Sequence, residues 1–166
     1  MTEIPCYEEL DGIIITPDVM EIKDLFEDYK NKIKSRCKCP VVSITKEIDD
    51  YYNVIVDNNI IMDDIIRHFI EVHGFDRINF LSGPLGTPDA DERLNSYKKI
   101  LAEYNIALDE RRIYYGNYRK NCGNAAVDYW LNNLEELPQA IICANDYMAF
   151  SVCRALAERG IKVPEQ

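Results

Sequence analysis

The segment "PQAIICANDYMAFSVCRALAERGIKVPEQ" (residues 138–166) contains the pattern that decides the fold. Its apolar run at 139–145 has the length of a buried strand, and residues 146–159 repeat apolar side chains with the period of a helix. A strand, a polar turn and an amphipathic helix form a unit that normally carries the chain to another parallel strand. If this unit recurs elsewhere in the sequence, the chain is an α/β protein.

The same alternation of strand and helix patterns runs through the rest of the chain. Continuous apolar strands joined by helices are typical of parallel sheets with helices on their faces. We therefore predict two parallel-sheet α/β lobes, residues 1–75 and 76–166, which meet near residues 72–77. The expected strands are 11–16, 40–46, 52–58, 77–83, 112–118 and 139–145, and the expected helices are 19–37, 59–74, 88–105, 122–137 and 146–159.

Charge and composition argue against several classes of protein. The net charge of −10 disfavours direct contact with nucleic acid, because a phosphate-binding face needs clustered lysine and arginine. The acidic start of the chain is unlike a signal peptide, and no apolar run is long enough to span a membrane. The six cysteines lack the spacing of a zinc site. We interpret them as free thiols of a cytoplasmic protein, with Cys143 and Cys153 inside buried patterns.

Polar side chains gather where the predicted strands end, which is where open α/β sheets bind ligands. Arg93 lies on the second turn of its helix and can donate several hydrogen bonds to a hydroxylated or anionic ligand. Tyr118 can offer a flat apolar face with a polar tip. Asn145 can donate and accept, whereas Asp146 can only accept. We predict that these four residues bind a ligand.

Each of these residues also has a purely structural interpretation. Arg93 can pair with Asp89, four residues earlier on the same helix. Tyr118 can be a core or rim aromatic residue, and Asp146 is a natural N-cap of the last helix. The functional interpretation depends on the convergence of the side chains at one edge of the sheet.

Other chemistries are poorly supported by the sequence. The loop "SGPLGT" (82–87) lacks the signature of a phosphate-binding loop and indicates a tight turn into a helix. Asp57 follows a strand, as in a receiver domain, but no acidic pair lies at the required strand end. His68 and His73, five residues apart, do not share a helix face as metal ligands do. We therefore expect no catalytic set, no metal and no cofactor.

The sequence resembles the effector-binding domain of LacI/GalR-type transcriptional regulators along nearly its whole length. The most specific parts are "AND-x-MA" followed by "RGIKVPE", and "R-x-x-S-Y" at 93–97. The blocks that carry the resemblance are "DGIIIT", "VIVDN", "HGFDRINFLSGPLGTPDADERLNSYKKIL", "GNY…GNAAVDYWL", "PQAIICANDYMA" and "ALAERGIKVPE".

The resemblance implies a type I periplasmic-binding-protein fold with a small-molecule effector, such as a sugar or a nucleobase-like metabolite, in a cleft between two lobes. It implies that Arg93 contacts the effector, that Tyr118 packs on it, and that Asn145 and Asp146 line the cleft or its hinge. A block at Asp57 matches the crossover between lobes.

The sequence also departs from the family pattern. The helix-turn-helix, the first strand–helix units and the strand expected after "VPEQ" are absent, so we expect each lobe to be incomplete and the chain to be a truncated domain. DNA binding is then expected only through a helix-turn-helix absent from this chain. Uncovered strand edges favour self-association into homo-oligomers. Alternative interpretations are a sensor fused to another output such as a diguanylate cyclase, a solute-binding protein fragment, or a small α/β enzyme.

Overall fold

Two compact units, Met1–Val56 and Asp57–Gln166, each contain one three-stranded parallel sheet. The structure is a computed structural model that describes residues 9–17, 23–119 and 121–165, without the side chains of residues 23–26 and 58. The two parallel sheets and their helices confirm the predicted α/β class.

The first unit has strand order β1-β2-β3. The predicted helix 19–37 is present as α1, although its positions 19–22 lie outside the described residues. Ile33 of α1 is fully buried against the sheet, in a small core with Ile15, Val41 and Ile48. The elements are β1 (Ile13–Ile15), α1 (Lys23–Arg36), β2 (Val41–Ile44) and β3 (Tyr52–Val54).

The strands of this first sheet are only partly covered. Ile14 is 70% exposed and Val54 is 54% exposed. The expectation that the strands are buried on both faces is therefore wrong for β1 and β3. The physical reason is that the described part of this unit contains a single helix, α1, and one helix cannot cover both faces of a sheet.

The second unit has strand order β5-β4-β6, with β4 in the centre. All five residues of β4 are buried, as expected for a strand covered by helices on both faces. The elements are α2 (Asn58–Glu71), β4 (Ile78–Ser82), α3 (Pro88–Glu103), a 3-10 turn (Glu110–Arg112), β5 (Ile113–Tyr115), α4 (Cys122–Asn133), β6 (Ala140–Cys143) and α5 (Asp146–Glu158).

Two apolar clusters form the core of the second unit. One joins α2 and α3 to Ile78 and Phe80 of β4, and the other joins α4 and α5 to Leu81. In the first cluster the Tyr97 ring stacks on Phe80, with ring centroids 5.1 Å apart. Its hydroxyl donates to the Ile78 carbonyl over 2.7 Å, and burial raises the pKa of Tyr97 above the usual tyrosine value. The clusters lie on opposite faces of β4, because alternate residues of a strand face opposite sides.

Helix α2 packs in the second unit. Met62 and Ile66 of α2 are buried in the same cluster as Ile78 and Phe80, so the compact units divide between Val56 and Asp57. The sequence placed the division after residue 75, because α2 follows a strand of the first lobe along the chain. The lobe boundary of the full-length protein stays a prediction.

The five cysteines in the described ranges are free thiols, and Cys6 lies outside those ranges. Cys143 is partly buried, and its burial raises the pKa of its thiol to about 12, so it behaves as a small apolar side chain. Cys153 was expected to be buried, but it is exposed, because it lines an apolar cavity along β6 and α5 that is open to solvent.

Substitution of Ile66 tests whether α2 belongs to the second core. Ile66 is fully buried, whereas its neighbour Ile65 is 40% exposed. Ile66→Ala should lower the free energy of unfolding by about 2–5 kcal/mol, because it leaves a cavity. The matched change Ile65→Ala should cost less than about 1 kcal/mol. Urea unfolding of the full chain measures both, and equal losses would contradict this packing of α2.

Candidate functional site

The carboxyl ends of β4, β5 and β6 form one edge of the second sheet, because the strands are parallel. The hydrogen-bond ladder continues into the following loops. The Gly116 N–H donates to the Ser82 carbonyl over 2.8 Å, and the Ala144 N–H donates to the Leu81 carbonyl over 2.9 Å. The loops that carry the predicted site residues are therefore fixed to the end of β4.

Arg93 links α3 to the end of β6. Its Nη1 donates to the Ala144 carbonyl over 2.9 Å, and its Nη2 lies 3.8 Å from a carboxylate oxygen of Asp89. The side chain is 20% exposed. Arg93 is thus close to Asp89, as the structural interpretation predicted, and it also reaches the strand ends, while its contact with a ligand stays a prediction.

Tyr118 lies over the loop that follows β4. Its backbone is left-handed, with φ +61°. A Cβ atom at Gly83 would lie 2.3 Å from Cζ of the Tyr118 ring, so this close approach requires glycine. No local sequence pattern indicates the role of Gly83, because its partner is thirty-five residues away along the chain.

The Tyr118 hydroxyl is buried and has no hydrogen bond of good geometry within the described part of the chain. Burial raises the pKa of this hydroxyl, while the nearby Thr87 hydroxyl and the Arg93 guanidinium act in the opposite direction. Thr87 donates its own hydroxyl proton to the Pro84 carbonyl over 2.8 Å. A buried polar atom without a partner is costly, and such atoms are common at functional sites.

Asn145 is the N-cap of α5. Its Oδ1 accepts from the Met148 N–H over 2.9 Å, and its Nδ2 donates to the Tyr118 carbonyl over 3.2 Å. The sequence indicated Asp146 as a natural N-cap of this helix, but the residue that caps α5 is Asn145. Asp146 is the exposed first residue of α5. The structure brings Arg93, Tyr118 and Asn145 together, and their contact with a ligand stays a prediction.

Asp57, which follows a strand of the first unit along the chain, has a structural role. The Asp57 carboxylate caps α2 by accepting from the N–H groups of Asn59 and Ile60 over 3.0 and 3.2 Å, so capping accounts for its side chain. Thr87 precedes α3, but its side chain does not cap that helix. In the same loop the Gly86 N–H donates to Asp91 over 3.3 Å, which agrees with a tight turn.

A separate cavity of about 500 Å³ lies along β6 and α5 in the second unit. Its walls include Phe75, Ile141, Val152 and Leu156, and they are mainly apolar. None of the four predicted site residues lines it. A hydroxylated or anionic ligand needs convergent polar groups, so the carboxyl edge of the sheet suits such a ligand better than this cavity does.

Asn145 should contribute more to stability than its neighbour Asp146. Asn145→Ala removes the cap and the bond to Tyr118, and it should lower the free energy of unfolding by about 1–2 kcal/mol. Asp146→Ala should cost less than about 1 kcal/mol. Asn145→Asp should recover only the capping part of the loss, because its carboxylate restores the acceptor but cannot donate to the Tyr118 carbonyl. Urea unfolding measures all three, and an equal cost for both alanine variants would contradict this assignment.

Comparison with known proteins identifies relatives for most of the chain. The family model described as a periplasmic binding protein-like domain matches residues 66–166. The HTH-type transcriptional repressor PurR of Vibrio atlanticus (strain LGP32) is 29% identical over 159 residues, which are 95% of this chain and 46% of the relative. The HTH-type transcriptional regulator AscG of Escherichia coli (strain K12) is 39% identical over 93 residues, which are 56% of this chain and 27% of the relative.

Solved structures give the same result. A sugar-binding transcriptional regulator of the LacI family from Escherichia coli, complexed with phosphate, is 29% identical with a TM-score of 0.75, over 94% of this chain and 54% of that one. The Escherichia coli transcriptional repressor AscG is also 29% identical with a TM-score of 0.75, over 95% of this chain and 56% of that one.

The chain spans about half the length of these solved relatives and 46% of the PurR relative. Among the helices of the described ranges, none combines the length and apolarity needed to cross a membrane. The matched residues, the paired parallel sheets and the identity to regulators show that this chain belongs to the periplasmic binding protein-like domain family, in the form found in LacI-type transcriptional regulators.

Proposed function

We propose that this chain is the small-molecule sensing domain of a LacI-type transcriptional regulator and that it controls transcription as part of the full-length protein. The observation that carries the proposal is the meeting of Arg93, Tyr118 and Asn145 at the carboxyl edge of the second sheet. A relative with 29% identity is described as a sugar-binding transcriptional regulator. We propose a sugar or a nucleobase-like metabolite as the effector.

Arg93 has the central binding role in this proposal. Its bond to the Ala144 carbonyl fixes the direction of the guanidinium, so little side-chain entropy is lost when a ligand binds. A guanidinium has five N–H donors and can therefore bind adjacent hydroxyls or an anionic group. The partial exposure of Arg93 leaves this group within reach of a ligand.

Asn145 and Tyr118 act together in the proposed site. The Asn145 amide holds the Tyr118 backbone in its left-handed conformation. The ring of Tyr118 then lies beside the loop that begins at Gly83. We propose that the ring packs against the effector and that Asn145 acts mainly by positioning it.

The regulator is proposed to be a non-enzymatic cytoplasmic protein without a cofactor. The net charge of −10 opposes direct contact of this domain with phosphates, so we propose that DNA is bound by a helix-turn-helix that lies outside this chain. Two alternative functions would use the same fold and the same ligand-binding groups. They are a sensor attached to another signalling output and a solute-binding protein. Effector-dependent binding of the full-length protein to an operator would distinguish the regulator from both.

Substitution of Arg93 tests the proposed site. A panel of sugars and nucleobases is screened by thermal shift, and each ligand found is titrated by calorimetry. Arg93→Ala should weaken binding at least about tenfold, which is 1.4 kcal/mol, because it removes hydrogen bonds from a charged donor. Arg93→Lys should be intermediate, since lysine keeps the charge but loses the planar fork.

Arg154→Ala is the matched control. Arg154 lies on the exposed face of α5 and pairs with Glu158, with a nitrogen–oxygen distance of 3.4 Å. Its loss should leave the affinity unchanged. If Arg93→Ala instead binds with unchanged affinity, the proposal is contradicted, and Arg93 only connects α3 to the end of β6.

We also propose that the chain forms homo-oligomers. Ile60 and Ile61 on α2, and Tyr147 and Phe150 on α5, are exposed apolar side chains, and such surface favours association. Light scattering after size exclusion should give a mass of about twice 19.3 kDa, decreasing on dilution. A mass of 19.3 kDa at every concentration would contradict self-association.

A further inference from the structure

The two histidines of the chain meet at the C-terminal end of α2. His68 lies in the last turn of the helix, and His73 follows the C-cap residue Val72. Their Nε2 atoms are 3.2 Å apart. A continuous helix would have placed them on different faces. The meeting occurs where α2 ends at Glu71, just before the chain turns back at Gly74, which has φ +67°.

Neighbouring contacts restrict both imidazole rings. The His73 ring stacks on Phe75 with centroids 5.2 Å apart and an interplanar angle of 24°. Phe69 lies 6.2 Å from each histidine ring, measured between centroids. The turn itself is held by the Gly74 N–H, which donates to the Ile70 carbonyl, and by the Phe75 N–H, which donates to the Phe69 carbonyl, each over 3.0 Å. The two nitrogens are therefore brought together by the fold.

We propose that His68 and His73 chelate a divalent transition-metal ion of the zinc class through their Nε2 atoms. Two nitrogens 3.2 Å apart, each about 2.0–2.1 Å from a zinc ion, subtend an angle of about 100° at the metal, which is close to tetrahedral. Imidazole is a preferred ligand of zinc, copper and nickel. The distance between the nitrogens thus fits a chelate.

The surroundings also favour a cation. The C-terminal end of a helix carries partial negative charge from its unpaired carbonyl groups, and the chain has a net charge of −10. Within the described ranges, no group of three or more histidine, cysteine, aspartate or glutamate side chains is arranged to hold a metal. Water molecules therefore complete the coordination of the two histidines, as in open zinc sites.

Without metal, one Nε2–H group donates to the other Nε2 atom. Metal binding replaces this hydrogen bond, and the donor ring moves its proton to Nδ1. The exchange is therefore a change of tautomer, in which the proton that leaves Nε2 is replaced at Nδ1 of the same ring. The metal then ties the turn after α2 to the last turn of the helix.

Selective ¹⁵N-histidine labelling gives a direct test, because the chain contains only two histidines. The full chain is prepared without a histidine tag, and Zn²⁺ is added stepwise while the imidazole nitrogens are observed by NMR. Both Nε2 resonances should shift together and stop shifting at one equivalent of Zn²⁺. The same addition of Mg²⁺ should shift neither, because magnesium prefers oxygen ligands.

Variants of each histidine separate chelation from single-residue binding. In His73→Ala, the His68 resonance should need at least about tenfold more Zn²⁺, because the second ligand no longer binds intramolecularly, and the reverse should hold for His68→Ala. Both residues are exposed, so neither change should disturb the core, and circular dichroism checks this. A shift of only one resonance, no shift at a tenfold excess of Zn²⁺, or equal Zn²⁺ dependence in the variants would overturn the chelate.

The same NMR titration of a thiol-free variant excludes a contribution from Cys37 and Cys39. The Sγ atoms of Cys37 and Cys39 lie 2.9 Å apart, and thiolates also bind zinc. In the Cys37→Ser/Cys39→Ser variant, Zn²⁺ should still shift both histidine Nε2 resonances. Loss of those shifts in this variant would show that the thiols hold the metal, which would overturn the proposal.

Discussion

The complete burial of β4 is the constraint on which the second unit depends. All five of its residues, from Ile78 to Ser82, are buried, and it pairs with β5 on one side and β6 on the other. A strand in this position needs apolar cover on both faces. The helices α2 and α3 supply it on one face, and α4 and α5 supply it on the other. The first unit has no equivalent strand among its described residues, and its sheet is correspondingly exposed.

The geometry of the proposed site follows from the same strand. Leu81 and Ser82 of β4 accept hydrogen bonds from the N–H groups of Ala144 and Gly116, which are the residues that directly follow β6 and β5. The loops after β5 and β6 therefore begin at fixed positions beside the end of β4. Asn145 can cap α5 and hold the Tyr118 carbonyl at once only because these two loops are adjacent. Such a network lowers the entropy that a bound ligand must remove. The Tyr118 hydroxyl beside it is one of several buried polar atoms without a hydrogen-bond partner in the described residues.

The sequence predicted the elements well because their signals are local. Apolar period and helix-ending glycines depend on neighbouring residues, so α3 and α5 begin at the predicted residues. Local signals do not show which sheet α2 packs against, because its apolar face, with Met62 and Ile66, would fit either unit. The choice between Asn145 and Asp146 as N-cap depends on where β6 ends, because both residue types cap helices well. The close approach of Tyr118 to Gly83 arises only in the folded chain and has no signal in the sequence.

The histidine pair and the proposed effector site lie at opposite ends of β4. The chain passes from the end of α2 into the first residue of β4 through residues 72–77, so the histidines are near the amino end of the strand. Arg93 contacts residues that follow the carboxyl end of β6. The first and last of the five residues of β4 are about 13 Å apart, at about 3.3 Å per step. Coupling between two sites requires an element with two arrangements that both ligands bias. A fully buried strand paired on both sides is a poor candidate for such an element, so coupling between metal and effector would pass through the helices that cover β4 and not through β4 itself.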